Sequence, residues 1–411
     1  MKVAIVHDYI REYGGAERVL EALSEAFPKA PIYTAFVKKD GRAYKHFANK
    51  KIYESWAAHI PFFASKLHSP LRFLAPLIWG SFNFSEYDVV ISSASWYITK
   101  GFGSRRPSPP RQWRGSSPTR GEEKKERNHP IEICYCHTPP RWLYGYKTSI
   151  EWQKYLPIKL YAAIVGHFMR IYDFNAAQRV DYFIANSKEV QVRIKKFYRR
   201  DATVIYPPVE LPISSAKSAD QISNSEKDYY FMVARLTGPK GLELAVKAAI
   251  AGGFTLKVAG VASGYYSDLE RLQTLGKGHV EFLGYVTDEE LVSLYSNANA
   301  FLALATDEDF GITPVESMLC GTPVIAYNGA GYKETVIDAH SASSGQGPTG
   351  VFFQESTVDS LLSAIKRFET QRFAQGKKIE SACKAQAKKF SKERFVREIK
   401  EFVNEKLKAN A

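Results

Sequence analysis

Short apolar runs alternate with longer amphipathic stretches along almost the whole chain, and this alternation is the strongest constraint on what it can fold into. In the first half the strand candidates are Val3–His7, Pro31–Phe36, Asp88–Ser92, Ile131–Cys136, Tyr182–Ala185 and Thr203–Tyr206. Helical candidates fall between them, near Ala16–Phe27, Ile150–Gln178 and Lys188–Tyr198. Strands that alternate with helices pack as parallel units, so the pattern predicts an α/β protein with parallel sheets. The pattern then restarts, with strands expected at Tyr230–Ala234, Thr255–Ala259, Val280–Leu283, Ala300–Leu304, Pro323–Ala326 and Gly350–Phe353. A chain of 411 residues is too long for one small core, and two successive βα domains account for it.

The boundary is expected after Pro207-Pro208, where Ser214 to Asp228 is rich in Ser and Lys and has no apolar period. This gives a first domain over 1–207, a linker over 208–228, a second domain over 229–390 and a terminal segment over 391–411. Ser391–Leu407 reads as an amphipathic helix with Phe395, Val396, Ile399, Phe402 and Val403 on its apolar side, and such a helix needs a partner surface. Ser104 to Asn128 breaks the pattern, with eight basic and three acidic residues and almost nothing apolar except Trp113. It cannot bury enough surface to fold alone, and 104–129 is expected to be a disordered insertion.

The charge is divided unevenly: residues 1–200 hold 33 Lys and Arg against 17 Asp and Glu, and residues 201–411 hold 23 against 26. A basic first half suits an anionic partner such as a membrane surface, a phosphorylated lipid or nucleic acid, although ordinary solubility would also produce it. Ile60–Trp79 is the most membrane-like stretch, but Lys66, His68, Arg72 and three prolines disqualify it as a spanning helix. Trp56, Phe62, Phe63, Phe73, Trp79, Phe82 and Phe84 interleave with those cations, as in an interfacial anchor or in a core helix pair with a few exposed cations. Cys134, Cys136, Cys320 and Cys383 form neither a disulfide framework nor a metal-binding set, and Met1 leads straight into a run too short for a signal peptide. A cytoplasmic protein is expected.

Candidate chemistry begins at Thr306–Glu316, which follows one strand and leads into a helix, where ligands of open α/β sheets sit. Thr313 is expected as the N-cap, Pro314 as the first helical residue and Glu316 as the capping-box partner of Thr313. Glu308 has no such structural explanation, and Gly311 permits close backbone approach to an anion at the helix amides. Arg235 stands at the carboxyl end of another strand and Lys240 at the helix start that follows, and together they could neutralise a diphosphate without a metal. In the first half, Gly14-Gly15 precedes a helix and could serve a phosphate, a sugar or a mere tight turn, and His137 directly follows a strand. Asp307-Glu-Asp309 matches a D-x-D metal signature, but its place in this loop gives no reason to invoke one.

In order, Gly14-Gly15, His137-Thr-Pro139, Ala185-Asn-Ser187, Val204-Ile-Tyr-Pro-Pro-Val209, Arg235 to Gly241, Val280-Glu-Phe-Leu-Gly284 and the E-x7-E of Glu308 and Glu316 resemble the retaining glycosyltransferases of family four, also called glycosyltransferase group 1. Within them the chain looks most like a bacterial mannosyltransferase-like subgroup. The resemblance implies the GT-B architecture, two Rossmann-like βαβ domains facing each other across a cleft, with the acceptor side in the first domain and the terminal helix packing back towards it. It also implies that Arg235 and Lys240 hold the diphosphate of a GDP- or UDP-linked sugar, Glu308 and His137 meet the donor sugar, and Glu316 meets the ribose. Phe310, Gly311 and Ile312 would contact sugar and phosphate through their amides, and Gly14 and Gly15 would lie near the phosphates and acceptor. No cofactor and no metal are expected. The insertion before His137 and the Ser- and Gly-rich stretch from Ala339 to Thr349 depart from the family pattern.

The function expected is therefore transfer of a hexose, mannose from GDP-mannose first, to a lipid-linked or polysaccharide acceptor at the inner face of the cell membrane. Oligosaccharide hydrolysis is disfavoured, because the two glutamates sit beside a cationic site rather than flanking one bond. A non-catalytic scaffold that binds anionic membrane or nucleic acid through its basic half is the alternative class. The chain carries no helix-turn-helix or RNA-binding signature, so no nucleic-acid partner is expected.

Overall fold

A computed structural model describes residues 1–103, 129–146, 156–213, 228–233, 240–260, 269–338, 347–375 and 377–410. Arg235, the insertion up to Asn128, residues 214–227 of the linker and residues 339–346 lie outside the described residues. The chain divides into two compact units, one of Met1–Gly145, Leu160–Tyr206 and Phe395–Ala411, the other of Tyr146–Lys159 and Pro207–Arg394. Residues 208–213, expected in the linker, count with the second unit: Val209 N–H donates to the Phe390 carbonyl at 2.9 Å, and Lys392 pairs with Glu210 at 2.7 Å.

The first unit runs β1 (Val3–His7), α1 (Gly15–Ala26), β2 (Ile32–Thr34), α2 (Arg42–Phe47), β3 (Ile52–Glu54), α3 (Ala75–Gly80), β4 (Val89–Ala94), β5 (Ile131–Cys136), α4 (Leu156–Arg179), β6 (Tyr182–Ala185), α5 (Lys188–Tyr198) and β7 (Ala202–Val204). Its sheet is wholly parallel, in the order β3-β2-β1-β4-β5-β6-β7. A parallel strand covered on both faces must be apolar on both, and β1 shows this residue by residue. Val3 and Ile5 point into a core with Val19, Leu20 and Leu23 of α1, while Ala4 and Val6 enter the opposite core with Phe36, Phe63 and Trp79. The chain's last helix, Lys392–Asn410, closes the first of these cores with Phe395, Ile399, Phe402 and Val403.

Most strands lie within two residues of their expected ends, and Ile131–Cys136 and Tyr182–Ala185 coincide with them. The edge strand β3 has no counterpart in the sequence pattern. It is three residues long and only partly buried, so it lacks an apolar run. The aromatic stretch from Trp56 to Phe84 is neither wholly anchor nor wholly core. Phe63, Trp79 and Phe84 are buried, with Trp79 Nε1 donating to the Tyr97 carbonyl at 2.8 Å, while Trp56, Phe62 and Phe73 are exposed.

In the second unit β8 (Tyr229–Val233), β9 (Thr255–Ala259), β10 (Val280–Gly284), β11 (Phe301–Ala303), β12 (Val324–Tyr327) and β13 (Gly350–Phe353) form a second parallel sheet, ordered β10-β9-β8-β11-β12-β13. Tyr230, Met232, Leu256, Val258 and Leu302 pack on the helix Leu242–Gly252 and on Leu361, Ile365 and Phe368. Both sheets reverse their strand order once, between β1 and β4 and between β8 and β11. Each unit is thus a Rossmann-like α/β layer with one switch point, the place where such sheets bind ligands.

The terminal helix belongs to the hydrophobic core of the first unit, so Phe395→Ala should cost about 3–5 kcal/mol of unfolding free energy. Urea denaturation followed by tryptophan fluorescence reads this as a lower midpoint. An unchanged midpoint would mean that the helix adds nothing to that core.

Candidate functional site

At the switch point of the second unit, Lys240 and Gly241 pass the end of β11. Gly241 has φ +77°, and a Cβ there would lie 2.7 Å from Leu304 Cβ and 2.9 Å from its carbonyl oxygen, so only glycine allows the chain so close. This approach brings Lys240 to the loop that follows β11, where its Nζ donates to Glu308 Oε2 at 2.6 Å. Glu308, which the sequence left without a structural role, is therefore ion-paired. The ammonium has three donors, and Glu308 takes one of them.

The Glu308 loop ends at Gly311, with φ +91°, where a Cβ would lie 2.9 Å from the Tyr332 ring. The helix Ile312–Leu319 starts directly after it, and its N-cap, Gly311, has no side chain with which to cap it. Phe310 is buried with its ring 5.3 Å from that of Phe390, and Gly331 N–H donates to the Glu308 carbonyl at 2.9 Å. Side chain and loop are thus pinned at the start of a helix, the kind of place where backbone amides can receive an anion.

The expected capping box is not formed. Because Gly311 turns the chain in the left-handed region, the helix begins two residues early, placing Thr313 in its first turn and Glu316 in the next. Glu316 is buried and accepts a hydrogen bond from Tyr295 Oη at 3.0 Å. Burial and the nearby Glu316 charge push the Cys320 thiol up to about 12, which keeps it protonated. Among the described residues, no group of three or more His, Cys, Asp or Glu could hold a metal ion.

In the first unit, Gly14 is the N-cap of α1 and Gly15 its first residue, so the glycine pair begins the helix rather than preceding it. The Gly14 amide donates to Glu17 Oε2 at 3.0 Å, and Glu17 Oε1 lies 3.8 Å from His7 Nε2. His7 Nδ1 is 3.0 Å from Ser93 Oγ, which is 2.8 Å from His137 Nε2. A carboxylate facing His7 Nε2 favours the proton there, which assigns the remaining directions: Ser93 donates to His7 Nδ1, and His137 Nε2–H donates to Ser93. His137 Nδ1 is left as an acceptor. Gly14 and His137, singled out separately in the sequence, are the two ends of one polar chain.

The link through Ser93 was not visible in the sequence. It depends on the parallel register that sets His7 opposite Ser93, 86 residues away. Asp8 was also missed as a structural anchor. It is buried, and its carboxylate accepts from Ser95 N–H at 3.2 Å, Ser95 Oγ at 2.7 Å, Trp96 N–H and Thr99 Oγ1, tying the end of β1 to the loop after β4.

These units define an α/β protein of the GT-B fold. Over 98% of its length the chain resembles the crystal structure of Anabaena Alr3699/HepE in complex with UDP and glucose, covering 99% of that chain at a TM-score of 0.67 and 18% identity. Residues 214–390, within the second unit, match the family model described as glycosyl transferases group 1. The chain is 24% identical to the alpha-1,3/1,6-mannosyltransferase ALG2 of Dictyostelium discoideum over 57% of its length and 61% of that protein. It is 27% identical to an uncharacterized glycosyltransferase of Methanocaldococcus jannaschii over 40% of its length and 45% of that protein. The matches thus span about half the length of these curated relatives.

Burial lowers His137 to about 4; burial, with the charges of Arg11 and Arg72, lowers His68 to about 4. Both are neutral at pH 7. The unfolded chain, with histidines near 6.5, binds more protons than the folded one between about pH 6.5 and 4. Stability is therefore complete above about pH 6.5 and falls as the pH drops towards 4. Thermal melts should show Tm falling between pH 7 and pH 5, with a shallower fall in His68→Gln and His137→Gln; parallel curves for all three proteins would contradict this assignment.

Proposed function

We propose that the protein is a glycosyltransferase that moves a hexose from a nucleotide sugar to a glycan or lipid-linked acceptor. The observation that carries this reading is the Lys240–Glu308 pair, 2.6 Å apart in the loop that leads into the helix Ile312–Leu319, inside the segment that matches group 1 glycosyl transferases. A cation and the amides of a helix N-terminus stabilise a departing diphosphate, and a carboxylate beside them binds sugar hydroxyls.

In this reading the bond between the anomeric carbon and the diphosphate breaks, a bond to an acceptor hydroxyl forms on the same face, and the hydroxyl proton passes to the leaving diphosphate. Lys240 and Arg235 neutralise that diphosphate, Glu308 orients the sugar and Glu316 holds the ribose. Phe310, Gly311 and Ile312 supply amides. From the first unit, His137 Nδ1 accepts from a sugar hydroxyl, and the Gly14–Gly15 turn serves the phosphates or acceptor. Retention of configuration and metal independence belong to the proposal, since the cations supply the charge a metal would otherwise bring. Mannose from GDP-mannose is the proposed donor, supported by the mannosyltransferase name of the Dictyostelium relative. Among the described residues no helix is long and apolar enough to cross a membrane.

Replacing Lys240 with Ala should lower turnover about 100-fold, the scale for removing one stabiliser of transition-state charge. EDTA should leave wild-type turnover intact in assays of released nucleotide from GDP- and UDP-sugars. Loss in EDTA that Mn²⁺ restores would defeat metal independence, and nucleotide-sugar binding without any turnover would favour a non-catalytic scaffold. Glu308→Gln should reduce turnover more than nucleotide affinity, comparing single-turnover rates with calorimetric binding. A wild-type rate in that variant would remove Glu308 from the sugar site.

A further inference from the structure

The helix α4 is apolar on more faces than the fold covers. It buries Gly166, Met169, Asp173, Ala176 and Ala177. On another face Leu160, Ile164, Phe168 and Ile171 are 62%, 52%, 66% and 50% exposed. Their spacing of four, four and three residues sets them in one stripe. An open apolar stripe of this size on a helix that already buries its opposite side marks an interaction surface.

The helix is tied to a second element that also exposes apolar side chains. Tyr161 Oη donates to the Pro70 carbonyl, joining α4 to the segment that holds the exposed Phe62 and Phe73. Among the described residues, no carboxylate pairs with Arg72 beside Phe73. Its guanidinium is held by its Nε–H bond to the Ser69 carbonyl at 2.8 Å and by the rings of Trp142 and Trp96, at 4.5 and 5.2 Å.

Charge decides the occupant. Residues 55–85 and 156–172 contain no Asp or Glu, and their fixed charges are Lys66, Arg72, Lys159 and Arg170. A second copy of this face, docked by two-fold symmetry, would set cations against cations. An anionic bilayer instead accepts the apolar side chains below its headgroups and the cations among its phosphates. We propose that the first unit docks on an anionic lipid bilayer through the stripe Leu160–Ile171 and the adjoining Phe62 and Phe73, with α4 lying in the membrane surface. This goes beyond the transferase reading and does not depend on it, since docking needs no nucleotide sugar.

The test is sedimentation of the full-length protein with vesicles of phosphatidylcholine alone or mixed with phosphatidylglycerol, at low and high salt. Wild type should bind the mixed vesicles, bind neutral ones at least about tenfold more weakly, and lose affinity as salt screens the cations. The double variant Ile164→Glu with Phe168→Glu should bind mixed vesicles at least about tenfold more weakly. Ile164→Ser with Phe168→Ser should be weakened in the same direction without the added charge. Val192→Glu, on an exposed apolar position of α5, should bind as wild type does. Unchanged thermal melts and donor binding in the variants keep a docking defect distinct from misfolding or from failure of the transferase reading. Wild-type vesicle binding by both double variants would overturn the proposal. So would a wild-type dimer in analytical ultracentrifugation that the double variants dissolve while no form binds vesicles, which would give the stripe to a second copy of the chain.

Discussion

A parallel strand covered on both faces must direct nearly every side chain into a core, which leaves it little room for reactive groups except near its ends. Much of this molecule's arrangement follows from that constraint. His7 and Ser93 stand at the carboxyl ends of β1 and β4, His137 one residue beyond β5, and Glu308 in the loop after β11. The chemistry collects where the sheets reverse their order because neighbouring loops diverge there and open a space.

The two units use this geometry differently. In the second, Lys240 pairs directly with Glu308 in the loop that leads into the helix Ile312–Leu319, with two more ammonium donors to offer a ligand. In the first, the polar groups form a chain from Gly14 to His137 in which no cation takes part, and a neutral imidazole stands at its end. The former suits the binding of phosphate oxygens. The latter suits a hydroxyl, whose proton an imidazole nitrogen can accept as a hydrogen bond.

Elements buried on both faces were legible in the sequence because their apolar runs permit little else, as with Val3–His7 and Gly350–Phe353. The edge strand Ile52–Glu54 was not, since a short, half-buried strand carries no such run. Glu316 was misread for a conformational reason: Thr313, Pro314 and Glu316 spell a helix start, but the left-handed Gly311 had already begun the helix. The Lys240–Glu308 pair and the Ser93 link join residues far apart in sequence and arise only when strands and loops are set side by side. The open stripe on α4 was not legible, because apolar residues on two sides of one helix do not say which side the protein covers.

The terminal helix has a consequence for biosynthesis. Phe395, Ile399, Phe402 and Val403 form part of the core that begins with Val3 and Ile5, so one hydrophobic core draws on both ends of the chain. During translation this core stays open while the whole second unit is made, and its apolar wall is filled only after Val403 has left the ribosome. The second unit can close earlier, although it is made later. Nascent chains stalled before the last helix would therefore expose the α1 side of the first sheet and become clients of chaperones that bind apolar surface.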